Sequence, residues 1–256
     1  MIFVIHHKEY PYVVNSLFQP IQVGAENATV NLPFLKDNTG DHISEKNPYY
    51  AELTALYWIW KNFDFSTSDF VGLSHYRRFF DFSYKKIFTK KSRKIEEADF
   101  VKKLCKEKYN KRIKSALKDN DILISRHEKW LDFSIKQQYL DWHIQSDWEA
   151  LENTVLDLYP EYKSSISKYW NTHPCYVHLY NMFVMKVDDF KIYVEWLFSI
   201  LFELETRIDV TDENYKSDPY QTRVFGFMAE RLLNLYINHN NFNKKEYQNV
   251  LLNDPK

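Results

Sequence analysis

The sequence predicts an α/β domain in which a mainly parallel central sheet is flanked by helices. Short runs of β-branched and aromatic residues alternate along the chain with longer segments whose apolar residues recur at helical spacing. This alternation is typical of a layered fold built on a parallel sheet. No internal repeat or low-complexity linker divides the 256 residues, so residues 1–256 are predicted to form one domain.

The first half of the chain supplies three predicted strands and one helix. A buried strand at residues 2–5 runs into polar residues, beginning with His6, and a second short strand follows at residues 21–24. A helix is predicted over residues 49–62, because an Asn-Pro pair before it provides a cap and a favourable first-turn residue. Residues 70–74 form a further predicted strand, which delivers polar side chains directly at its end.

The second half continues the alternation. Residues 85–118 are dense in Lys, Arg and Glu and are predicted as a solvated helical excursion. The remaining predictions are strands at 121–124 and 176–186, helices at 188–207 and 221–238, and a polar tail at 239–256. Ligands of parallel sheets bind beyond the carboxyl ends of the strands. The polar clusters after residue 5, after residue 74 and near Asn181 are therefore expected to converge on one crevice.

Composition excludes several function classes. The chain has 34 basic and 35 acidic residues, so no overall field attracts nucleic acid. With only 4 glycines it has neither a dinucleotide-binding nor a P-loop fingerprint. Two cysteines in unrelated contexts give neither a disulfide framework nor a zinc spacing, which favours a reducing cytoplasm. The apolar N-terminal run is too short for a signal peptide or a membrane span.

A pair of arginines is the strongest candidate for phosphate binding. Arg77 and Arg78 follow a buried strand directly, after His75 and Tyr76. Because side chains alternate along a strand, at least one guanidinium is expected to face the crevice. A planar guanidinium binds phosphate oxygens in a bidentate manner. The alternative is that both arginines pair with acidic neighbours at the rim, while His75 and Tyr76 only pack.

Residues 37–52 form a predicted loop that runs into a helix and is rich in groups able to hydrogen-bond sugar hydroxyls. Its candidates are Asp37, Asn38, Asp41 and Glu52. The position of Glu52 on the predicted helix is that expected for a partly buried carboxylate paired with an arginine. The alternative is that polar residues of this loop have only local structural roles: Asn47 caps the helix, and Glu45 interacts favourably with the helix dipole.

Two later segments contain candidate bases. His143 and Asp147 are four residues apart, and a tyrosine precedes them at the same interval, which predicts one stripe along a helix. The histidine and aspartate then form a candidate base and orienting pair. The alternative is a surface helix with incidental polar residues. Glu230 is a further candidate base, or the ion-pair partner of Arg223 or Arg77.

The segment Asp119-Asn-Asp121 matches the Asp-x-Asp pattern with which metal-dependent sugar transferases hold a divalent ion. Its position argues against that role, because the pair precedes a predicted strand instead of following one. The strand that ends at residue 74 leads to arginines instead. Cationic side chains are therefore expected to neutralise a leaving diphosphate. No metal ligand is assigned, and Mn²⁺ or Mg²⁺ is the less favoured alternative.

Motifs along most of the chain resemble the bacterial family called domain of unknown function 4422 (DUF4422), found in capsule, exopolysaccharide and O-antigen gene clusters. Its members are regarded as glycosyltransferases, some of them galactofuranosyltransferases. The matching motifs are Pro20-Ile-Gln-Val-Gly-Ala25, Asp37-Asn-Thr-Gly-Asp41, Ile43-Ser-Glu-Lys-Asn-Pro48, Glu52-Leu-Thr-Ala-Leu-Tyr-Trp58, His75-Tyr-Arg-Arg78, Asn181-Met-Phe-Val-Met185 and Arg223-Val-Phe-Gly-Phe-Met-Ala-Glu-Arg231.

The resemblance implies a GT-A-like fold, a nucleotide-sugar donor such as a UDP-sugar, and a glycan or lipid-linked glycan acceptor. Within that frame His6, Lys8 and Gly24 are expected near the nucleotide, and the arginine pair near the diphosphate. Asp41 or Glu52 is expected near the donor sugar, and Asp147 or His143 is expected to activate the acceptor. The full set of expected donor-binding residues is His6, Lys8, Gly24, Asp37, Asn38, Asp41, Glu52, His75, Tyr76, Arg77, Arg78, Asn181 and Arg223; the expected catalytic set is Asp147, His143, Asp41 and Glu230.

The favoured hypothesis is a cytoplasmic glycosyltransferase that moves a hexose, with galactofuranose as one candidate, onto a growing surface polysaccharide. A lipid-linked acceptor implies a peripheral contact with the inner face of the membrane, for which residues 79–94 are the candidate segment. One alternative is a non-catalytic carbohydrate-binding or scaffold protein of polysaccharide assembly. Another is a metal-dependent nuclease or phosphatase that uses Asp119 and Asp121.

Overall fold

The computed structural model describes residues 1–83 and 97–252. The strands are β1 (Ile2–His6), β2 (Phe18–Gln22), β3 (Leu35–Lys36), β4 (Phe70–His75), β5 (Arg78–Phe80), β6 (Ile122–Ser125), β7 (Glu128–Trp130), β8 (Cys175–Val177), β9 (Phe183–Lys186), β10 (Lys244–Tyr247) and β11 (Asn249–Leu251). The helices are α1 (Asn47–Tyr50), α2 (Leu53–Asn62), α3 (Glu97–Leu104), α4 (Asn110–Asp119), α5 (Ile135–Trp142), α6 (Gln145–Leu158), α7 (Lys163–Ser165), α8 (Val187–Glu205), α9 (Glu213–Ser217) and α10 (Val224–His239).

The central sheet has the strand order β10-β6-β9-β4-β1-β2-β3. β1 pairs in parallel with both β2 and β4, and β10 pairs in parallel with β6. β9 runs antiparallel between β4 and β6. The sheet is therefore mainly parallel, with helices on both faces, and this confirms the predicted fold class.

Continuous apolar runs explain why β1 and β4 occupy the middle of the sheet. All five residues of β1 are buried, as expected for a strand covered on both faces. Successive side chains alternate between two cores. Phe3 and Ile5 join the larger core under α2, α6, α8 and α10, whereas Ile2 and Val4 join the smaller core, which α3 and α4 cover.

Several predicted elements are divided differently in the structure. The helix predicted over residues 49–62 is two helices, α1 and α2, separated by Ala51 with a φ of 49°. The strand predicted over residues 176–186 is two strands, β8 and β9, on either side of a turn in which Tyr180 and Asn181 have positive φ. Each interruption lies at or beside a buried polar side chain, Glu52 after the first and Asn181 in the second.

The predicted helical segment and the predicted polar tail also contain elements that the sequence analysis did not separate. Of residues 85–118, the part that the structure describes forms α3 and α4, while residues 85–96 lie outside the described ranges. Residues 239–256, expected only as a polar tail, contain β10 and β11, which pair with β6 and β5. Their polar side chains hid a strand signal because the edge strand β10 is largely exposed.

In the described residues 1–83 and 97–252, no helix has both the length and the apolar composition needed to span a bilayer.

Gly72, in the middle of β4, provides a test of how tightly the sheet is packed against its neighbours. A Cβ added there lies 2.8 Å from Val184 Cγ2 and 2.9 Å from the Phe183 carbonyl oxygen. Because the second contact is with backbone, we expect Gly72→Ala to lower the free energy of unfolding by about 1–3 kcal/mol in denaturant titrations. Gly226→Ala is the matched comparison, since its new Cβ lies 3.2 Å from the Ala51 side chain, and it should change stability less. Equal effects of the two substitutions would contradict the packing argument.

Candidate functional site

The carboxyl ends of β1, β2 and β4 open into a polar cleft, as expected for parallel strands. We call it the strand-end cleft. It has a volume of about 540 Å³ and is lined by Ile5, His7, Val23, Asn47, Pro48, Ala51, Glu52, His75, Tyr76, Arg77, Arg78, Pro219, Thr222 and Arg223. Of the residues expected to bind the donor, Glu52, His75, Tyr76, Arg77, Arg78 and Arg223 line this cleft.

A tight hairpin brings both predicted arginines to the cleft. β4 extends to His75, Tyr76 and Arg77 form the turn, and Arg78 opens the antiparallel strand β5. The Ser74 hydroxyl donates to the Arg78 carbonyl oxygen at 2.6 Å and closes the turn. The Arg78 guanidinium lies 4.4 Å from the centre of the Tyr180 ring, and the Arg77 guanidinium lies 5.4 Å from the centre of the Tyr76 ring. Aromatic contacts thus orient both cations.

Glu52 supplies the negative charge that faces these cations. It stands at the start of α2, directly after the break at Ala51, and is only 8% exposed. Its Oε1 accepts a hydrogen bond from Asn181 Nδ2 at 2.8 Å, and its Oε2 lies 3.8 Å from Arg223 Nη2. The expectation of a partly buried carboxylate with an arginine partner is met by Arg223 in the structure.

His75 is held as a neutral imidazole. Its Nε2 lies 2.7 Å from the Tyr180 carbonyl oxygen, and because a carbonyl only accepts, Nε2 carries the proton and Nδ1 is the free acceptor. Burial lowers the pKa of His75, and the nearby Arg78 and Arg223 lower it further, although Glu52 acts in the opposite direction. The fixed positive charge of the cleft therefore resides on guanidinium groups.

The end of β1 presents His7, not His6, to the cleft. β1 includes His6, whose side chain is fully buried with its ring centre 5.0 Å from that of Phe34 and 5.9 Å from that of Tyr76. The sequence analysis named His6 and not His7, because alternation along a strand does not fix which of two adjacent side chains at its end faces the cleft. The cleft walls and neighbouring cations hold the pKa of His7 below its usual range, even though part of the ring is open to solvent. Lys8 is not among the residues that line the cleft, but its ammonium lies 5.6 Å from the ring centre of Tyr76, which does line it.

Asp37 and Gly24 hold the loop beside the cleft. Asp37 is fully buried and accepts hydrogen bonds from four groups, namely the Gly24 and Ala25 backbone N–H groups and the Ser44 and Thr54 hydroxyls. Gly24 adopts a φ of 63° and leaves no room for a Cβ, which would meet Asn47 at 2.6 Å. Both residues therefore position the cleft wall from behind, and neither carboxylate oxygen of Asp37 is left free.

Two other loop residues lie outside the cleft lining. Asn38 donates to Glu26 at 3.2 Å, and Asp41 is exposed and accepts from the Tyr57 hydroxyl at 3.0 Å. Neither joins the residues that line the cleft. Asn181, which was expected to bind the donor, is 1% exposed and donates to Glu52 and to the Gly226 carbonyl oxygen. It positions the Glu52 carboxylate from behind.

A second pocket adjoins the strand-end cleft and has a different character. We call it the aromatic pocket. It has a volume of about 580 Å³ and is lined by Arg78, Trp130, Phe133, Gln138, Asp141, Trp142, His143, Leu179, Tyr180, Tyr220, Arg223, Phe227, Glu230 and Arg231. Arg78 and Arg223 line both pockets, so a ligand in one lies next to a ligand in the other.

The structure separates the predicted pair of His143 and Asp147. The stripe along one helix is wrong, because α5 ends at Trp142 and α6 begins at Gln145. His143 lines the aromatic pocket and is bonded to Gln221 at 3.0 Å, while Asp147 is 4% exposed and accepts from the Tyr215 hydroxyl at 2.6 Å. Burial raises the pKa of Asp147 to about 6. Its carboxylate lies in the interior, outside both pockets.

Glu230 lies in the wall of the aromatic pocket near the shared arginines. Its ion-pair partner is Arg231, at 2.8 Å, and neither Arg223 nor Arg77 takes that place in the described residues. Its other oxygen accepts the Tyr180 backbone N–H at 2.7 Å. Burial raises the pKa of Glu230, while Arg231 and Arg223 oppose that rise. Glu230 is thus a hydrogen-bonded carboxyl group with a raised pKa in the wall of the aromatic pocket, which Arg78 and Arg223 also line.

The described residues include no cluster of three or more His, Cys, Asp and Glu side chains arranged to hold a metal ion. Asp121 immediately precedes β6, and its Oδ2 accepts the Asn243 backbone N–H at 2.8 Å. Asp119 lies in a separate cavity with Asn120. The Asp-x-Asp segment is therefore remote from the strand-end cleft.

The chain belongs to the family described as Domain of unknown function (DUF4422), whose profile matches residues 1–241. The resemblance drawn from the sequence motifs is thereby confirmed. Among solved structures, the chain resembles the apo structure of WbbM, a bifunctional glycosyltransferase, with a TM-score of 0.85 and 33% sequence identity. The match covers 99% of this chain and 45% of that one, so the chain spans less than half the length of this relative. A search of curated proteins finds no match.

The burial of His6 gives a pH dependence of stability that can be measured. Burial lowers the pKa of His6 from 6.5 to about 4, so between these values the unfolded chain binds a proton that the native protein does not. The free energy of unfolding should therefore fall as the pH is lowered from 6.5 towards 4, by at most about 1.4 kcal/mol per pH unit for this group. His6→Phe should reduce that slope in urea titrations at about pH 5 and about pH 6. An unchanged slope would show that His6 does not contribute to this pH dependence.

Proposed function

We propose that the protein is a glycosyltransferase that uses a nucleotide-sugar donor. One observation carries the proposal: a cationic cleft at the strand ends and an aromatic pocket adjoin and share Arg78 and Arg223. Two substrates can then meet at a common wall. The likeness to the bifunctional glycosyltransferase WbbM supports the same reaction class. The proposed donor is a UDP-hexose, with galactofuranose as one candidate sugar, and the proposed product is a capsular, exopolysaccharide or O-antigen glycan.

The donor is placed in the strand-end cleft. Arg77, Arg78 and Arg223 line it together with the neutral rings of His7 and His75. Guanidinium groups remain charged throughout the physiological pH range and match the geometry of phosphate oxygens. In this proposal they stabilise the negative charge that develops on the departing diphosphate, the task that a divalent cation performs in metal-dependent transferases.

We propose that the acceptor hydroxyl binds beside Glu230. The carboxylate takes the hydroxyl proton, the acceptor oxygen forms a bond to the anomeric carbon, and the bond from that carbon to the diphosphate oxygen breaks. The electron pair of the broken bond leaves with the diphosphate. A base opposite the leaving group gives inversion at the anomeric carbon. Burial favours this role, because it makes the Glu230 carboxylate a stronger proton acceptor than an exposed one.

A lipid-linked acceptor would bring the enzyme to the inner face of the membrane. The segment suggested for that contact, residues 79–94, lies mostly outside the described ranges. The contact therefore remains a proposal that rests on the basic and aromatic composition of the segment.

Replacing the shared arginines should weaken nucleotide binding. We expect Arg78→Ala and Arg223→Ala each to reduce the affinity for UDP by about 1.5–3 kcal/mol, the value of a charged hydrogen bond, as measured by isothermal titration calorimetry. Arg207→Ala is the matched control, because Arg207 forms surface ion pairs with Asp157 and Glu203. The same titration in the presence of EDTA should give the same affinity. Unchanged UDP affinity in both arginine variants would refute the donor assignment.

Glu230→Gln tests the proposed base separately from donor binding. The substitution keeps the shape of the side chain and an oxygen that can accept from Tyr180, but it removes the proton acceptor. We expect the turnover number for sugar transfer to fall at least about 100-fold, the lower range for general base catalysis. Stabilisation of the fold by UDP in a thermal-shift assay should persist. Transfer at the wild-type rate would exclude Glu230 as the base.

A further inference from the structure

The rim of the aromatic pocket exposes an unusual set of large rings. Trp142 is 69% exposed, Tyr220 is 53% exposed and Phe133 is 41% exposed. They come from three separate segments, namely the end of α5, the turn before Gln221 and the loop between β7 and α5. Single exposed aromatic residues need no explanation, but a cluster around one cavity marks a binding surface.

Three rings of the pocket pack against one another. The centre of the Phe227 ring lies 4.3 Å from that of His143 and 4.9 Å from that of Tyr220. The His143 and Tyr220 rings lie nearly parallel, with an angle of 13° between their planes. Trp142 and Phe133 line the same pocket and are the other exposed rings. The pocket therefore combines a packed group of three rings with two further exposed aromatic side chains.

Fixed polar groups lie among these rings. Arg231 is 2% exposed and is held by Gln138 at 2.6 Å and by the Phe227 carbonyl oxygen at 3.0 Å. Its Nε is buried without a hydrogen-bond partner in the part of the chain that the structure describes. A buried donor of this kind is costly unless a ligand or water satisfies it.

His143 provides an acceptor in the same pocket. Gln221 Nε2 donates to the Trp142 carbonyl oxygen at 3.0 Å, so Gln221 Oε1 faces His143 Nδ1, which must be the protonated nitrogen. The other ring nitrogen, Nε2, is then an acceptor. Burial also lowers the pKa of His143 to about 4, so the ring is neutral at physiological pH.

This combination matches the chemistry of a carbohydrate. A sugar ring presents an apolar C–H face that packs on an aromatic ring, and its hydroxyl groups both donate and accept hydrogen bonds. Peptides and lipids satisfy only part of this pattern. A nucleobase also stacks on aromatic rings, but the exposed rings of Trp142, Tyr220 and Phe133 line only the aromatic pocket, whereas Arg77 lines only the strand-end cleft, where the donor is proposed to bind.

We infer that the aromatic pocket binds the acceptor as the non-reducing end of a glycan with at least two sugar residues. The inner residue lies against Phe227 and offers its hydroxyl to Glu230, and the next residue stacks on Tyr220 and Trp142. This inference rests on the proposed glycosyltransferase function, because the shared arginines would bring the acceptor next to the donor sugar.

The test compares acceptors of two lengths. Wild-type protein and the variants Trp142→Ala and Tyr220→Ala are assayed with a methyl galactoside and with the corresponding methyl disaccharide, whose aglycone has no aromatic ring, using the UDP-hexose that stabilises the fold most. We expect the KM for the disaccharide to rise about 10-fold in each variant, since loss of one aromatic contact is worth about a factor of ten. The turnover number and the KM for the monosaccharide should change by less than about 3-fold.

Two controls separate stacking from structural damage. Trp142→Phe retains an aromatic surface and should restore most of the disaccharide affinity. Tyr176→Ala removes a ring that is 48% exposed but lines a different cavity, next to His127, and should leave all parameters unchanged.

The outcomes distinguish this inference from the proposed function. If the wild-type protein neither binds UDP nor releases it from any UDP-hexose, the proposed function fails and the inference fails with it. If the wild-type protein transfers sugar but the disaccharide KM is the same in both alanine variants, only the acceptor assignment is overturned. Loss of UDP affinity in Trp142→Ala would also overturn it, because the pocket would then hold the nucleobase.

Discussion

The hydrogen bonds of Asn181 hold the two pockets together. This buried amide donates from Nδ2 to Glu52 Oε1 at 2.8 Å and to the Gly226 carbonyl oxygen at 3.1 Å. It thereby joins the break between α1 and α2, the turn before β9 and the first turn of α10. The next residue towards the N-terminus, Tyr180, donates its backbone N–H to Glu230 and accepts from His75. One turn with positive φ at both residues therefore positions the carboxylates of both pockets.

The positive charge around this turn is carried by groups that do not titrate near neutral pH. Arginines supply the positive charge, whereas burial holds the pKa values of His7, His75 and His143 below their usual range. Neutral imidazoles beside guanidinium groups provide hydrogen bonds without adding repulsion between like charges. The positive potential of the strand-end cleft is consequently insensitive to pH near neutrality, because a guanidinium does not lose its proton there.

The sequence predicted those features that depend on local pattern. The apolar runs of β1, β4 and β6 identified the sheet, and the rule that ligands bind at strand ends located the cleft and its arginines. The choice of His6 over His7 was not determined by local pattern, because moving a strand end by one residue exchanges the two faces. The break after Trp142 carries no Gly or Pro signal, so the stripe through His143 and Asp147 looked continuous. The aromatic pocket is assembled from four segments that lie between Arg78 and Arg231, and no motif of short range could reveal it.

The shared arginines also couple the two proposed substrates. Arg223 lowers the pKa of Glu230, because its positive charge stabilises the carboxylate. In the proposed reaction, a donor diphosphate bound at Arg223 brings negative charge that offsets this stabilisation. The proton affinity of Glu230 then increases, because the guanidinium no longer favours the carboxylate to the same extent. In the proposed reaction the base is thus strongest when the donor is in place, so Arg223, which lines both pockets, would couple diphosphate binding to the acceptor side.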